Sequence, residues 1–550
     1  VKKFSEAKAF VAHLLRARTA REEEWRELAD WIAPHRGVFG GEDLAPVGHR
    51  RNKKAFVQIA SQALLRGASG MTSGMTPRNI SWFEPDFGER ELAEASGARS
   101  WLDEVDRRMK ECLADGGFYQ AVQSFNMDLL WAGCALMYVE TARQTPLRFE
   151  CVPIGSYAVG LDGEGRLDAV CRTMIWTPAR LASVFGRDAL SEGSRTKLER
   201  QPYESVRVTH LVRRRDWRYP GRQDRQNMAW QSLFWESEGA EDFLHEGGYH
   251  EMPYFFTVWH ESGTPYGTGP GDDALADSRQ VDLMERRKLE GLGLLTRPPV
   301  QAPPELKGKV DLSPGGITYV SERVKIEPIY DLGPWAQAFQ YLQAEIQTVG
   351  QRLENQLMAS IFASMPLDQR PRDMSATEFL ERKREALQQL GPVISAYEPH
   401  VLTPLLHRVA ACMDRAGLLP VPPDSLAGLP LLVKMNFVSP LANALRQTGA
   451  ETTRALLQEV AFLAQLQPEV LDKVDVDQAV DELATGTGAP GGIVRADADV
   501  QALRQARAEA QAQAQQTMME QQALQTAVGA ARGMADTARI MHDMKEPVHE

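Results

Sequence analysis

The sequence predicts an α+β chain, mainly α with one antiparallel β region. Three observations carry that prediction. Apolar residues recur at helical spacing through residues 5–130, between 135 and 259 they alternate in short runs, and beyond 272 long helical runs return around a Pro- and Gly-rich segment at 296–334.

Residues 5–32 form the first helix, with Phe10, Leu14, Leu15, Trp25, Leu28, Ala29 and Ile32 in register and Pro34 and Gly37 closing it. A second runs from Ala55 to about Gly74 and ends in GMTSGMTPRNISWF, where Gly74, Pro77 and Asn79 force a turn. Two more helices cover about 98–113 and 118–130. The runs LMYVE, LRFECVPI, YAVGL, DAVCRTMIW, VRVTHLV, SLFW and YFFTVW are β-branched and aromatic, and read as strands. One short helix interrupts them, capped by Thr177, opened by Pro178 and closed near Gly186.

YGTGPGDDAL (266–275) opens a helix from about Asp272 to Leu295. A phosphate loop needs Lys and Ser/Thr at fixed offsets after its glycines. Here two aspartates follow, which suit a helix N-terminus and repel phosphate. A second long helix starts at Pro334 and runs to about Phe362. Trp335, Phe339, Leu342, Ile346, Val349, Leu353 and Leu357 form one seam for packing on other helices. Gln337, Gln340, Gln343, Gln347, Gln351 and Gln356 leave the remaining surface nearly uncharged, either a solvated face or a smooth channel or intersubunit surface. A capping box at Ser375–Glu378 opens a helix expected to kink at Gly391-Pro392 and to end at Gly417. Residues 441–486 read as a compact helical unit and GTGAPGGI as a linker. The Ala- and Gln-rich tail from Val500 reads as a helix of marginal stability on its own.

The chain has 550 residues, 43% hydrophobic and 25% charged, enough for about two to four domains. No window reaches the roughly 18 apolar residues of a membrane span, and VKKFSE leads into an amphipathic run, so a soluble cytosolic protein without membrane insertion is expected. Five scattered cysteines without a C-x-x-C pair suggest neither a zinc cage nor a disulfide framework. A net charge of −12 argues against gripping nucleic acid over a broad surface, but not against letting it slide past.

Catalytic chemistry is not evident. HEGGYHE (245–251) spaces its histidines five apart around Gly-Gly, which suits a hairpin and not a zincin helix. GASGM (67–71) lacks the second glycine of a nucleophile elbow. No catalytic residue, metal or cofactor is expected. RRRDWRYPGRQDRQ (213–226) is the one basic run with aromatic residues; it reads as a solvated hairpin end, though its composition can bind nucleic acid. Arg370 and Arg372 lie in a proline-bearing loop between two long helices, which either stays on the surface or projects into a lumen.

Taken in order, WRELADWIAPHRG, ASQALLRGASGMTSGMTPRNISWF, PYGTGPGDDALADSRQVDLMERR, RPPV, SPGGITYV, MSATEFLERKREALQQLGPVISAYEPHVLTPLLHR and PEVLDKVDVDQAVDELA resemble the head-to-tail connector (portal) family of short-tailed double-stranded DNA phages, over about residues 20–485. WAGCAL departs from the family in placing Cys134 where a small polar residue is expected. The resemblance implies a portal-type protomer with wing, stem, clip and crown, assembling into a ring that is usually a dodecamer.

The division it implies is an N-terminal wing region at 1–265, stem helices at 266–295 and 334–362 around a clip at 296–333, and a tunnel loop at 363–374. A long kinked wing helix with a following strand would cover 375–440, a crown 441–495, and a helical tail or barrel 496–550. It assigns Met365, Asp368, Gln369, Arg370 and Arg372 to the DNA channel, and Pro298, Pro299, Pro314, Gly315, Gly316 and Tyr319 to the docking surface of the clip. The stem seam is Trp335, Phe339, Leu342, Ile346, Val349 and Leu353. The implied role is a ring channel at one capsid vertex of the virion, assembled in the bacterial host cytoplasm, for genome packaging, retention and ejection. Its implied partners are double-stranded DNA, the terminase large subunit, tail adaptor proteins, and capsid and scaffold proteins. Twelve helices spaced about 10 Å apart lie on a circle roughly 38 Å across and leave a bore of about 28 Å, wide enough for duplex DNA. The rival readings are a cytosolic oligomeric scaffold or adaptor without a DNA channel, and an enzyme with a site hidden in the sheet region.

Overall fold

The structure, a computed structural model, describes residues 2–39, 54–87, 98–141, 145–219, 224–297, 299–308, 310–311, 317–319, 327–328, 333–363, 391, 396–423, 426, 433–438 and short stretches beyond 450. It is α+β and contains two compact units, residues 1–445 and 446–550. In the second unit, 456–463 and 503–511 are helical.

The first unit is organised around the corner where one helix feeds a strand. Helices α1 (Lys2–Trp31), α2 (Ile59–Met75), α3 (Ala98–Asp115) and α4 (Phe118–Ala132) precede strand β2 (Cys134–Glu140); β1 (Phe83–Phe87) lies between α2 and α3. Gly133, at φ +79°, turns the chain from α4 into β2 in the left-handed region that L side chains avoid. β2 is the centre of a three-stranded antiparallel sheet with β3 (Arg148–Val152) and β9 (Tyr254–Val258). A five-stranded antiparallel sheet runs in chain order through β4 (Tyr157–Leu161), β5 (Leu167–Trp176), β6 (Val206–Arg214), β7 (Trp230–Glu236) and β8 (His245–Tyr249). Between β5 and β6 stand α5 (Pro178–Phe185), capped by the Thr177 hydroxyl, and α6 (Glu192–Arg200), capped by Ser191. Sequence periodicity passed over α6, a short polar helix without an apolar stripe. HEGGYHE, whose Gly-Gly suits a hairpin and not a helix, supplies β8, with Gly247 and Gly248 inside the strand that pairs antiparallel with β7.

Period-two alternation sorts the five-stranded sheet. Leu211, Leu233, Ala169 and Cys171 bury one face under Phe4, Ala7, Val11 and Leu14 of α1. On the other face His210 is fully buried, 3.0 Å from the Tyr254 hydroxyl through Nδ1 and 3.0 Å from the Ser232 hydroxyl through Nε2, with its ring stacked on Phe234. Tyr254 belongs to β9, so this imidazole ties the two sheets together. Burial, helped by nearby Arg172 and His245, lowers its pKa to about 3.

A buried carboxylate fixes the other side of the corner. Asp128 of α4 accepts Arg36 Nε at 2.6 Å, Trp131 Nε1 at 2.8 Å and the Cys151 thiol at 3.3 Å. Burial opposes the charge on Arg36, but the Asp128 carboxylate more than offsets it and raises the pKa. Burial also pushes the Cys151 thiol up, keeping it a protonated donor.

The chain returns to this core near its C-terminal side. Strand β12 (Val433–Phe437) pairs antiparallel with β1, Phe83 opposite Phe437. Helix α10 (Thr403–Arg415) buries Arg408, which donates to the Val139 and Glu251 carbonyls, while Arg415 grips the Glu251 carboxylate at 2.6 and 2.8 Å. Directly before α10, Glu398–Leu402 forms a π turn. Pro399 and Pro404 withhold two amide donors there, which accounts for the wide turn. Pro392, where the kink is expected, lies outside the described residues.

Two stability measurements check this packing. His210 takes its proton more readily unfolded, near pH 6.5, than folded, near pH 3. Its contribution is therefore full above 6.5 and falls as pH drops, by up to about 1.4 kcal/mol per unit. Urea midpoints across that window should slope less for His210→Gln than for the wild type. Asp128→Asn removes one partner of a buried pair and should cost about 3–5 kcal/mol in the same assay at pH 7.

Candidate functional site

Of the tunnel loop, clip and stem that the resemblance implies as functional surfaces, the stem is the most fully described: the helix pair α7 (Pro270–Thr296) and α8 (Gly333–Gln356), with α9 (Ala359–Ala363) following α8. YGTGPGDDAL is the entrance to α7. Pro270 sits at the first helical position, and the Asp272 carboxylate accepts the Gly269 amide at 2.8 Å and pairs with Arg21 of α1 at 2.5 Å. A Cβ on Gly271 would lie 2.2 Å from the Trp131 carbonyl oxygen, so the glycine lets the helix start press directly on the end of α4. The glycines therefore serve packing, and the Asp272 carboxylate takes the helix N-terminus that a phosphate would need.

α8 packs along α7 and α2. Ile346, Val349, Leu353 and Leu357 are buried, Phe339 and Leu342 half-buried, and the Phe339 ring lies over Gly291 of α7. The helix carries Trp335, whose side chain lies outside the described residues. Polar contacts hold the helices where they leave the core: Asp277 of α7 pairs with Arg352 at 3.2 Å and accepts from the Gln356 amide at 3.0 Å, and Arg66 of α2 pairs with Glu354 of α8 at 2.9 Å. The expected single helix from 334 to 362 is broken at Met358, which has φ +62°. The Leu357 carbonyl there points at α2, where a Cβ on Gly67 would stand 2.1 Å from it.

Opposite the seam, at about 100° per residue, Gln337, Gln340, Tyr341, Ala344, Gln347, Thr348, Gln351 and Asn355 form one exposed stripe about 27 Å long with no charge in it. It is a charge-free band, bordered by the exposed Glu345 and Arg352, in a chain that is 25% charged.

The outer half of α7 carries an exposure that sequence reasoning missed. Leu283, Leu289 and Leu292 are 57%, 46% and 45% exposed. Leu283 and Leu292 are nine residues apart, about 900° of helix, and so sit on opposite flanks. The only signal in the sequence is that the apolar residues of LMERRKLEGLGLL do not collapse onto one stripe.

Between the two helices, Val300–Gln301 (β10) and Glu327–Pro328 (β11) form a two-residue ladder. Pro299 is half-buried beside it, and Ile317 and Tyr319 are exposed. Pro298, Pro314, Gly315 and Gly316 lie outside the described residues, as do Met365, Asp368, Gln369, Arg370 and Arg372. Among the described residues no cluster of His, Cys, Asp or Glu is arranged to hold a metal ion, and no helix is long and apolar enough to cross a membrane.

The seam and the polar stripe should behave differently in the same unfolding assay. Leu353→Ala should lower stability by about 2–5 kcal/mol, whereas Gln347→Ala should stay within about 0.5 kcal/mol of the wild type.

Comparison with known proteins places these features in a family. The bacteriophage head to tail connecting protein family matches residues 5–494. The portal protein of Salmonella phage epsilon15 is 31% identical over 525 residues, covering 94% of this chain and 93% of that protein. The probable portal protein of Bordetella phage BPP-1 is 30% identical over 550 residues, covering 97% of each.

Proposed function

The chain belongs to the bacteriophage head-to-tail connecting protein family and acts as a phage portal; on that premise we propose that copies of it close into a ring, usually of twelve, around a channel for double-stranded DNA. As a portal it is a component of the virion at a capsid vertex, with capsid and tail proteins as neighbours. In our reading the ring is built in the host cytoplasm with scaffold protein. It docks a terminase large subunit that supplies the ATP chemistry, later takes tail adaptors, and itself performs no catalysis.

The observation that carries the ring is the pair of exposed leucine flanks on α7. A two-fold dimer uses the same patch on both partners, whereas a ring uses two different patches that meet head to tail. Leu283 on one flank and Leu292 on the other supply two such patches on a helix that has left its own core. With the flanks occupied by neighbours, the remaining face of the helix pair is the charge-free stripe of α8, which we assign to the lumen. Amides and hydroxyls there offer phosphates no fixed cation at which to stop, so the helix wall guides DNA without holding it. The segment 363–374 is assigned to the tunnel loop, 296–333 to the clip with Pro299, Ile317 and Tyr319 at its docking surface, and 441–495 to the crown.

Particle mass and negative-stain images test this reading. Wild-type protein should form rings of about twelve chains of 61.2 kDa each. Leu283→Glu and Leu292→Glu, each alone, should abolish closed rings while leaving the melting temperature of the protomer within a few degrees. Closed rings from either variant would refute the two-flank arrangement, and compact dimers from the wild type would refute the ring.

A further inference from the structure

The basic run between β6 and β7 is not absorbed by the channel. Residues 213–226 hold six arginines and two aspartates, a net +4 in a chain of −12. Two of the arginines are tied back into the sheet: Arg213 donates to Gln231 at 3.0 Å, and Arg215 donates to the Met228 and Gly247 carbonyls at 3.0 and 3.1 Å. Arg214, Arg218 and Arg225 stand exposed, without an ion-pair partner among the described residues. Beside them Trp217 and Tyr219 are 65% and 54% exposed, their rings edge to face with centroids 4.0 Å apart.

This end of the sheet is held in place. Asn227, nearly buried, accepts the Tyr219 amide at 2.6 Å and donates back to the Tyr219 carbonyl. Arg225, just before it, starts a 3-10 turn that packs on β8. Two large aromatic side chains and three exposed guanidinium groups are thus displayed beside a backbone that Asn227 pins at Tyr219, which lowers the backbone cost of ordering when something binds.

We infer that this ribbon is a second contact for double-stranded DNA, on the outside of the protein and separate from the channel. Exposed cations spaced along the chain at Arg214, Arg218 and Arg225 suit a partner whose charges repeat along its length, because phosphates recur about every 1.7 Å of duplex axis and demand no single matching pocket. The arginines bind phosphate oxygens, and the Trp217 and Tyr219 rings pack against sugar and groove edges, as side chains that position a protein on a duplex do. The rest of the chain carries a net charge of −16, the whole-chain −12 less this run's +4, so outside the channel this end is the one that favours a polyanion. The inference rests on the portal role only for the presence of DNA nearby.

A covalently closed DNA circle cannot thread a closed ring, so its binding reads the outer surface alone. Full-length protein should bind a fluorescent closed circle, and Arg214→Ala/Arg218→Ala/Arg225→Ala should weaken binding at least about tenfold at 0.1 M salt. The slope of log affinity against log salt should fall by about 2.7 for each ribbon engaged, about 0.9 for each of its three lost phosphate contacts. The triple Arg→Lys variant should keep the slope, and Trp217→Ala/Tyr219→Ala should weaken binding without changing it. Unaltered binding by the triple alanine variant would overturn the inference. So would preferential binding of poly-glutamate over the circle, which would make the ribbon a dock for an acidic protein. Far-UV circular dichroism of each variant guards against misfolding. Particle mass on the same samples separates failure of the ring from failure of the ribbon.

Discussion

The first unit depends on backbone meeting backbone at one corner. The end of α4, Trp131 to Gly133, and the start of α7, Thr268 to Gly271, approach until only glycine fits between them: a Cβ on Gly133 would fall 2.5 Å from the Thr268 carbonyl carbon. Side chains close the corner from outside. Trp25 of α1 donates to the Ala132 carbonyl at 2.9 Å and meets Tyr266 edge on, and Arg21 pairs with Asp272. The direction in which the α7 and α8 pair leaves the core is therefore set by the strand that begins at Cys134. The same turn also sets the three-stranded sheet, so the sheet region and the helix pair share one origin.

Polar groups inside the core define geometry more than they add stability. Asp128 and Arg36, the His210 bridge and Arg408 with its two carbonyls are each satisfied, and each joins elements far apart in sequence. Swapping such a group for an apolar one of the same shape can be near neutral, while stranding its partner is expensive. Tyr397 extends the pattern: its hydroxyl donates to Asn126 at 3.0 Å, and Asn126 donates to Thr72 at 2.9 Å, so the approach to α10 is referenced to α4 and α2.

Long periodic elements were legible in the sequence. The α1 helix, the strand runs and the α8 seam are repeating patterns whose period is set by local geometry, and Ile346, Val349 and Leu353 are buried as their spacing implies. Elements defined by partners far along the chain were not legible. Strand β1 exists because β12 pairs with it some 350 residues later. β8 needs glycine at 248 because a Cβ there would lie 2.5 Å from the Arg225 carbonyl oxygen. The helix break at Met358 answers to α2. The site was legible to the same degree. Which face of α8 packs follows from the sequence, but the exposed flanks of α7 do not, since leucine spacing alone does not say what covers a leucine. Pro299 and Tyr319 were chosen by resemblance and not by a physical pattern in the chain.

The two leucine flanks of α7 also bear on symmetry. In a ring joined through unlike patches, nothing in the residues themselves counts the members; only the angle between the patches does. Twelve members turn by 30° per step and thirteen by about 27.7°, a difference of roughly 2.3°. A rotation that small is within what long side chains such as leucine absorb by changing rotamer, so the number of subunits is a property of how assembly is guided as much as of the chain. In a ring closed in this way, a partner that holds the first few copies at a set angle would select the size of the whole while the same residues meet at every interface.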